Sequence, residues 1–237
     1  MDVCGSVYFP KDCHLSPGRF MAQLEGQATQ MGVTFLWNAE VSGARLTGDR
    51  RVAAVSVAGR EEVCGDEFVL AGGSWSTGLA KELGLAIPLQ AGKGYSLTLA
   101  KPRQLPHLCS ILTEARVAVT PMGEALRIGG TMEISGLNEA INPARVRGIV
   151  RSVPTYFPEL REEDFSGIPP WRGLRPCSPD GLPYLGRTAR YDNLVIATGH
   201  AMMGVSLGPV TGRLVAEWVS GEPPALELGL LDPDRFA

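Results

Sequence analysis

The chain has 237 residues, 44% of them apolar and 20% charged, with a net charge of −3. That is enough apolar chain to bury a real core, which excludes a disordered or fibrous protein, and no basic excess points to nucleic acid. Glycine (29) and proline (18) are scattered without a repeat, which suits many short elements joined by tight turns rather than a helical bundle.

The first residues carry neither a signal peptide nor a helix cap. They open on a short strand at 5–9 and a turn at Pro10-Lys11-Asp12, a beginning expected of a chain cut from something longer. Residues 16–31 then read as a helix. Ser16 is a suitable N-cap, Pro17 suits the first turn, Phe20, Met21, Leu24 and Ala28 fall near helical spacing, and Gly32 ends it. Short strands are predicted at 33–37, 41–47, 51–57 and 61–64, with turns at Gly48-Asp49 and Gly59-Arg60. Residues 67–71 form a compact apolar strand running into Gly72-Gly73, and 74–83 a helix. Antiparallel sheet begins at 93–100, with a hairpin of 116–120 and 125–129 around Pro121-Met122-Gly123-Glu124. Asn142 and Pro143 cap a helix running to about Tyr156. A second buried strand, 193–197, leads to a helix over 204–220 with Leu207, Val210, Leu214 and Trp218 on one face.

Five cysteines (Cys4, Cys13, Cys64, Cys109 and Cys177) are odd in number and lack CxxC spacing. Neither a disulfide framework nor a zinc site is expected, and a reducing compartment fits best. With only His14, His107 and His200, no metal site is predicted. Residues 193–212 contain no Asp, Glu, Lys or Arg, nearly the length of a spanning helix. Gly199, Gly204, Gly208 and Pro209 divide that stretch into strand, turn and helix, so no transmembrane segment is expected.

One pair of segments echoes within the chain. Phe68-Val69-Leu70-Ala71-Gly72-Gly73 and Leu194-Val195-Ile196-Ala197-Thr198-Gly199 are both apolar strands entering Ala-x-Gly and then a helix. α/β proteins use that arrangement to bring backbone N–H groups to a ligand's anionic parts, although glycines also simply permit tight turns.

Several blocks, in order, carry a family likeness. They are Val7-Tyr8-Phe9-Pro10 with His14 to Arg19, Leu70 to Ser76, Lys93-Gly94-Tyr95-Ser96, Arg127 to Glu133, and Gly173-Leu174-Arg175-Pro176 with Ser178-Pro179-Asp180-Gly181. Thr198-Gly199-His200 through Gly204 and the tail Asp232-Pro233-Asp234-Arg235-Phe236 complete the set. Together they resemble the C-terminal part of FAD-dependent oxidoreductases of the D-amino-acid oxidase superfamily, most of all its bacterial D-amino-acid dehydrogenase branch. The family's opening GxGxxG unit has no counterpart here; Gly92-Lys93-Gly94 lacks the third glycine.

The resemblance implies an α/β fold: an FAD-binding domain of glutathione-reductase type without its N-terminal βαβ unit, interleaved with an antiparallel α+β substrate domain. Residues 1–15 and 91–170 would form the substrate side, and 16–90 and 171–237 the partial FAD side. It implies oxidative deamination of D-amino acids, with hydride passing from Cα to flavin N5 and the imine hydrolysing to a 2-oxo acid and ammonia. Glycine, sarcosine or a hydroxylated D-proline as substrate, and a non-catalytic fragment or subunit, are the alternatives. FAD would be held non-covalently, and the chain alone is expected to lose it; the electron acceptor, quinone or oxygen, stays open. The expected location is cytoplasmic, with peripheral attachment at the inner membrane as a variant.

Site residues follow from the same resemblance. Arg175 would clamp the substrate carboxylate through its planar fork. Tyr95 would donate a second hydrogen bond or line the pocket, with Trp171 and Arg127 as lesser candidates. Gly199, His200, Ala201, Met202, Met203 and Gly204 would lie under the flavin ring, chiefly through backbone N–H groups. Ala71, Gly72 and Gly73 would approach the ribose or pyrophosphate, and the backbone of Val41 the adenine. Cys177 is expected to be an inert thiol.

Overall fold

The computed structural model describes residues 4–48 and 50–237. Asp49 of the expected turn and the first three residues lie outside them. In chain order the regular elements are α1 (Pro17–Gln30), β1 (Val41–Thr47), β2 (Arg51–Val57), β3 (Val63–Cys64), β4 (Phe68–Leu70), α2 (Ser76–Glu82) and β5 (Gln90–Leu99). They continue with β6 (Ser110–Leu112), β7 (Val117–Met122), β8 (Ala125–Ile134), α3 (Pro143–Tyr156), β9 (Trp171–Cys177), β10 (Tyr184–Arg187), β11 (Leu194–Thr198) and α4 (Gly204–Val219). They gather into two compact units. One holds the described residues up to Phe35 with 93–133 and 139–173; the other holds 36–92, 134–138 and 174–237.

In the first unit the sheet order is β6-β7-β8-β5-β9. The β7–β8 hairpin is antiparallel with Val119 opposite Ile128 and Thr120 opposite Arg127. Period-2 alternation sends Val117, Val119, Leu126 and Ile128 to the covered face, where they pack with Tyr95, Leu97 and Leu99 against Ile149 and Val153 of α3. Asn142 caps α3 as expected, its side chain accepting from the Ala144 N–H at 3.1 Å. Thr131 interrupts the alternation. Its φ of 75° is a left-handed conformation that a β-branched residue rarely adopts. Beyond it Glu133, odd-numbered like Arg127, turns to the face that holds Tyr95 and the buried Lys93.

The second unit contains two three-stranded sheets, β1-β2-β3 and β10-β11-β4. In the latter, β10 runs antiparallel to β11, whereas β4 is parallel to it, with Leu194 opposite Phe68 and Ile196 opposite Leu70. Leu70, Ala80, Leu85, Ile87, Tyr184, Leu194 and Ile196 make its core. Asn193 joins the two sheets: its amide accepts from the Val52 N–H at 2.9 Å and donates to the carbonyls of Val52 at 2.8 Å and Asp66 at 3.0 Å.

Three readings of the sequence change. Residues 5–9 and 33–37 are irregular rather than strands, because β-propensity makes a strand only where a neighbour completes the ladder. The helix expected at 74–83 splits into a short 3-10 turn, Gly73–Trp75, and α2. Helix α1 forms where expected, but none of its residues is buried, so its apolar spacing does not report a core-facing stripe. It groups with the first unit.

Candidate cofactor and substrate site

The parallel pair β4 and β11 ends in two glycine turns, and both turns lie outside the carboxyl ends of the strands, where open α/β sheets form their ligand crevice. After β4, Gly73 takes a φ of 56°. A Cβ there would meet nothing within 4 Å, so the turn is open on that side. Ala71 and Gly72 are exposed beside it. Next in the chain, Ser74 is buried, and its hydroxyl has no hydrogen-bond partner among the described residues. An orphaned buried hydroxyl is uncommon and suits a polar ligand group close by.

After β11 comes Gly199 at a φ of 83°, then His200 and Ala201, the latter at 46°. A Cβ on Gly199 would lie 3.0 Å from the Tyr184 ring and 3.3 Å from Leu89. The glycine is therefore required by packing inside the protein as well as by its backbone angle. The turn is laced on both sides. The Ala201 N–H donates to the Pro176 carbonyl at 3.0 Å, and His200 makes an antiparallel bridge with Cys177. Thr198 donates to the Gly73 carbonyl at 3.2 Å and accepts from Ser76 at 3.1 Å, so the two turns are cross-linked. Sequence reading missed Ser74, Ser76 and Thr198; their hydroxyls flanking the two glycine turns were the available signal.

Helix α4 starts at Gly204 with Met203 as an N-cap that makes no side-chain hydrogen bond. The first intrahelical bond runs from the Leu207 N–H to the Met203 carbonyl at 2.9 Å. The N–H groups of residues 204–206 thus have no intrahelical partner and lie at the positive end of the helix dipole, whereas the Met203 N–H donates to the His200 carbonyl at 2.8 Å. Met202 and Met203 are exposed, so nothing apolar closes this end.

The His200 ring is held on α4. Its Nε2 is 2.9 Å from the Thr211 hydroxyl on α4, and burial pushes the imidazole below its ordinary value, toward the neutral form. Arg175 is half-buried on β9, two residues before the bridge to His200. Burial pushes its guanidinium down from the ordinary value and Cys177 pushes the other way. A cation kept partly out of water is stabilised by an arriving anion. The Cys177 thiol is directed to the Arg175 carbonyl at 3.6 Å. Val41 is the first residue of β1, opposite Val57, in the sheet that lacks the glycine turns.

Tyr95 belongs to a buried polar group of the first unit. It is 1% exposed, and its hydroxyl donates to Glu133 at 3.1 Å and accepts from the Asn142 N–H at 3.2 Å. Lys93, also 1% exposed, completes the group with Nζ 3.3 Å from Glu133 and 2.8 Å from the Ala140 carbonyl. Burial pushes the Glu133 carboxyl up, but hydrogen bonds from Lys93 and Tyr95 outweigh it and hold the carboxyl below its usual range. The tyrosine hydroxyl is thus engaged with groups of the first unit. On the opposite face of the sheet, Arg127 Nε donates to Ser96 at 3.2 Å, and its guanidinium lies 5.1 Å from the centre of the Trp171 ring.

Residues 2–218 match the sequence profile of the DAO family, described as FAD dependent oxidoreductase. The chain belongs to this family. Among its relatives, the D-amino acid dehydrogenase of Bradyrhizobium diazoefficiens is 36% identical over 228 residues, covering 95% of this chain and 52% of the relative. The D-amino acid dehydrogenase of Vibrio vulnificus is 35% identical over 242 residues, covering 99% and 55%. The chain therefore spans about half the length of the curated relatives it matches. Its fold is similar to that of glycine oxidase from Geobacillus kaustophilus (TM-score 0.79, 24% identity, 91% of this chain and 57% of that one). Iminodiacetate oxidase from Chelativorans sp. BNC1 is as similar (TM-score 0.80, 24% identity, 91% and 58%). The shared architecture is mixed α/β with antiparallel sheets. Among the described residues no helix is long and apolar enough to cross a membrane, and no cluster of His, Cys, Asp and Glu could hold a metal.

Proposed function

We propose that this chain forms part of an FAD-dependent enzyme that oxidises D-amino acids to imines. The observation that carries the reading is the parallel pair β4–β11 opening onto two cross-linked glycine turns, with the unpartnered Ser74 hydroxyl and the uncapped start of α4 beside them. These groups fit a dinucleotide of glutathione-reductase type binding. Ala71, Gly72 and Gly73 would hold its ribose and pyrophosphate, residues 199–204 its ring, and the Val41 backbone its adenine. Binding is non-covalent, because the Cys177 thiol is engaged with its own strand.

When bound, the flavin supplies the acceptor for the substrate's α-hydrogen. The chain's own groups bind and orient. Arg175 takes the α-carboxylate through two parallel hydrogen bonds, and the free N–H groups at the start of α4 favour negative charge on the ring. His200 contributes its backbone and keeps its ring on Thr211. Loss of hydride from a neutral amine needs no strong protein base, so a neutral histidine is sufficient there.

The test begins with flavin added to the purified chain. Fluorescence should report weak binding that gel filtration removes, since the segment corresponding to GxGxxG is not in the sequence. The chain is then joined to the GxGxxG-bearing segment of a relative and given D-alanine or L-alanine, with and without oxygen. D-Alanine should bleach the flavin and L-alanine should not. A protein that keeps its flavin and is bleached by no D-amino acid sinks the reading.

A further inference from the structure

On the open face of the five-stranded sheet, β8 presents Arg127 and Gly129, because Leu126 and Ile128 on the same strand point into the core. The Arg127 Nε is fixed by the Ser96 hydroxyl and its plane is held near the Trp171 indole. Among the described residues Nη1 and Nη2 donate to nothing, and no carboxylate lies within ion-pair distance of Arg127. Trp171 is 59% exposed and Arg127 half-buried, so the pair is reachable from solvent. The indole is seated by Gly173, where a Cβ would come within 2.3 Å of the ring. Beside the pair, Ala118 and Gly129 oppose each other across β7 and β8 and leave a flat floor.

We propose that Arg127, oriented by Ser96 and Trp171, is a carboxylate-binding shelf. A guanidinium with one nitrogen already anchored presents its remaining pair in a fixed plane, which matches the two oxygens of a carboxylate. An aromatic face beneath it lets planar ligand and guanidinium stack together. A single cation suits the single charge of a carboxylate better than the higher charge of a phosphate. The shelf rests on the proposed amino-acid oxidation for the source of its ligand: the substrate's α-carboxylate or an acidic side chain.

The first experiment needs neither flavin nor turnover, so it stands apart from the fate of that reading. The indole N–H signal of Trp171, identified by its loss in Trp171→Phe, is followed by NMR during titration with propionate, glutarate, propionamide or inorganic phosphate. The carboxylates should shift it and propionamide should not. Arg127→Gln should weaken the carboxylate response about ten-fold or more, the loss expected for a charge-assisted hydrogen bond, and Arg127→Lys should restore part of it. Equal responses to propionate and propionamide, a stronger response to phosphate, or an undiminished response in Arg127→Gln overturns the shelf. In the flavin-loaded protein, kcat/KM for D-glutamate and D-glutamine then locates the carboxylate. A larger fall for D-glutamate in Arg127→Gln assigns the side chain, an equal fall assigns the α-carboxylate, and no fall for either overturns the proposal.

Discussion

Arg235 grips Asp180 with two parallel contacts, Nε to Oδ2 at 2.8 Å and Nη2 to Oδ1 at 3.0 Å, across 55 residues of sequence. The same guanidinium lies 4.0 Å from the centre of the Tyr184 ring and donates to the Leu182 carbonyl at 2.8 Å. Tyr184 is the ring against which Gly199 packs. The C-terminal tail therefore fixes the turn after β9 and, through Tyr184, the floor of the turn after β11.

Arg235→Ala should lower the melting temperature by several degrees and do so more than Asp180→Asn, because it also removes the cover of Tyr184. The Arg235 hydrogen bonds hold the Asp180 carboxyl far below its ordinary range. Its stabilising effect is fully present above the unfolded carboxyl value, about 4, and is lost as pH falls through the depressed folded value. Wild type and Asp180→Asn should therefore converge in strongly acidic denaturation series. A constant gap across that range would refute the pairing.

The two glycine turns should respond differently to a methyl group. Gly199→Ala combines a left-handed φ with contact on Tyr184 and Leu89, and should cost about 1–3 kcal/mol of stability with or without flavin. Gly73→Ala meets no neighbour, and should cost only about 1 kcal/mol from its φ. Its larger effect should fall on flavin affinity. Chemical denaturation of the flavin-free variants separates the two, and equal losses would contradict this assignment.

Tyr95→Phe removes a donor to Glu133 and an acceptor for the Asn142 N–H. At about 1 kcal/mol net for each hydrogen bond, the variant should lose stability while keeping its preference for carboxylates over amides. Glu133→Ala should be worse than Lys93→Met, since it takes the carboxylate from a buried ammonium, whereas the methionine removes the charge. Thermal unfolding with amide and acid substrates in parallel tests both statements. Loss of carboxylate preference in Tyr95→Phe would return the hydroxyl to the substrate.

Local chemistry was readable in the sequence. The Asn142-Pro143 cap, the hairpin ending in Arg-Ile-Gly-Gly and the two strand-glycine-helix units each depend on residues a few positions apart. What escaped notice depends on distant partners. Nothing in Thr131-Met132-Glu133 announces the left-handed residue that turns Glu133 inward to meet the Tyr95 hydroxyl. Gly199 was recognisable as special, but its cause, the Tyr184 ring, is 15 residues earlier in the chain. The tail motif was visible too, yet its grip on Asp180 is closed only by the fold.

The decisive substitution for the proposed chemistry is at Arg175. If its half-buried guanidinium clamps the α-carboxylate, Arg175→Ala removes both binding and orientation, so KM should rise and kcat fall together. Truncating one partner of a desolvated charge pair costs about 2–5 kcal/mol, which is roughly a thirty-fold or greater drop in kcat/KM. Arg175→Lys should recover only part of this, because an ammonium cannot reproduce the planar fork. The control is a substrate whose α-carboxylate is an amide. Wild type should reject it strongly, and Arg175→Ala should barely distinguish it from the acid, because the group that reads the charge is gone. Equal discrimination by both proteins would mean that another cation reads the α-carboxylate. Arg127 on its indole shelf would then be the candidate to mutate next.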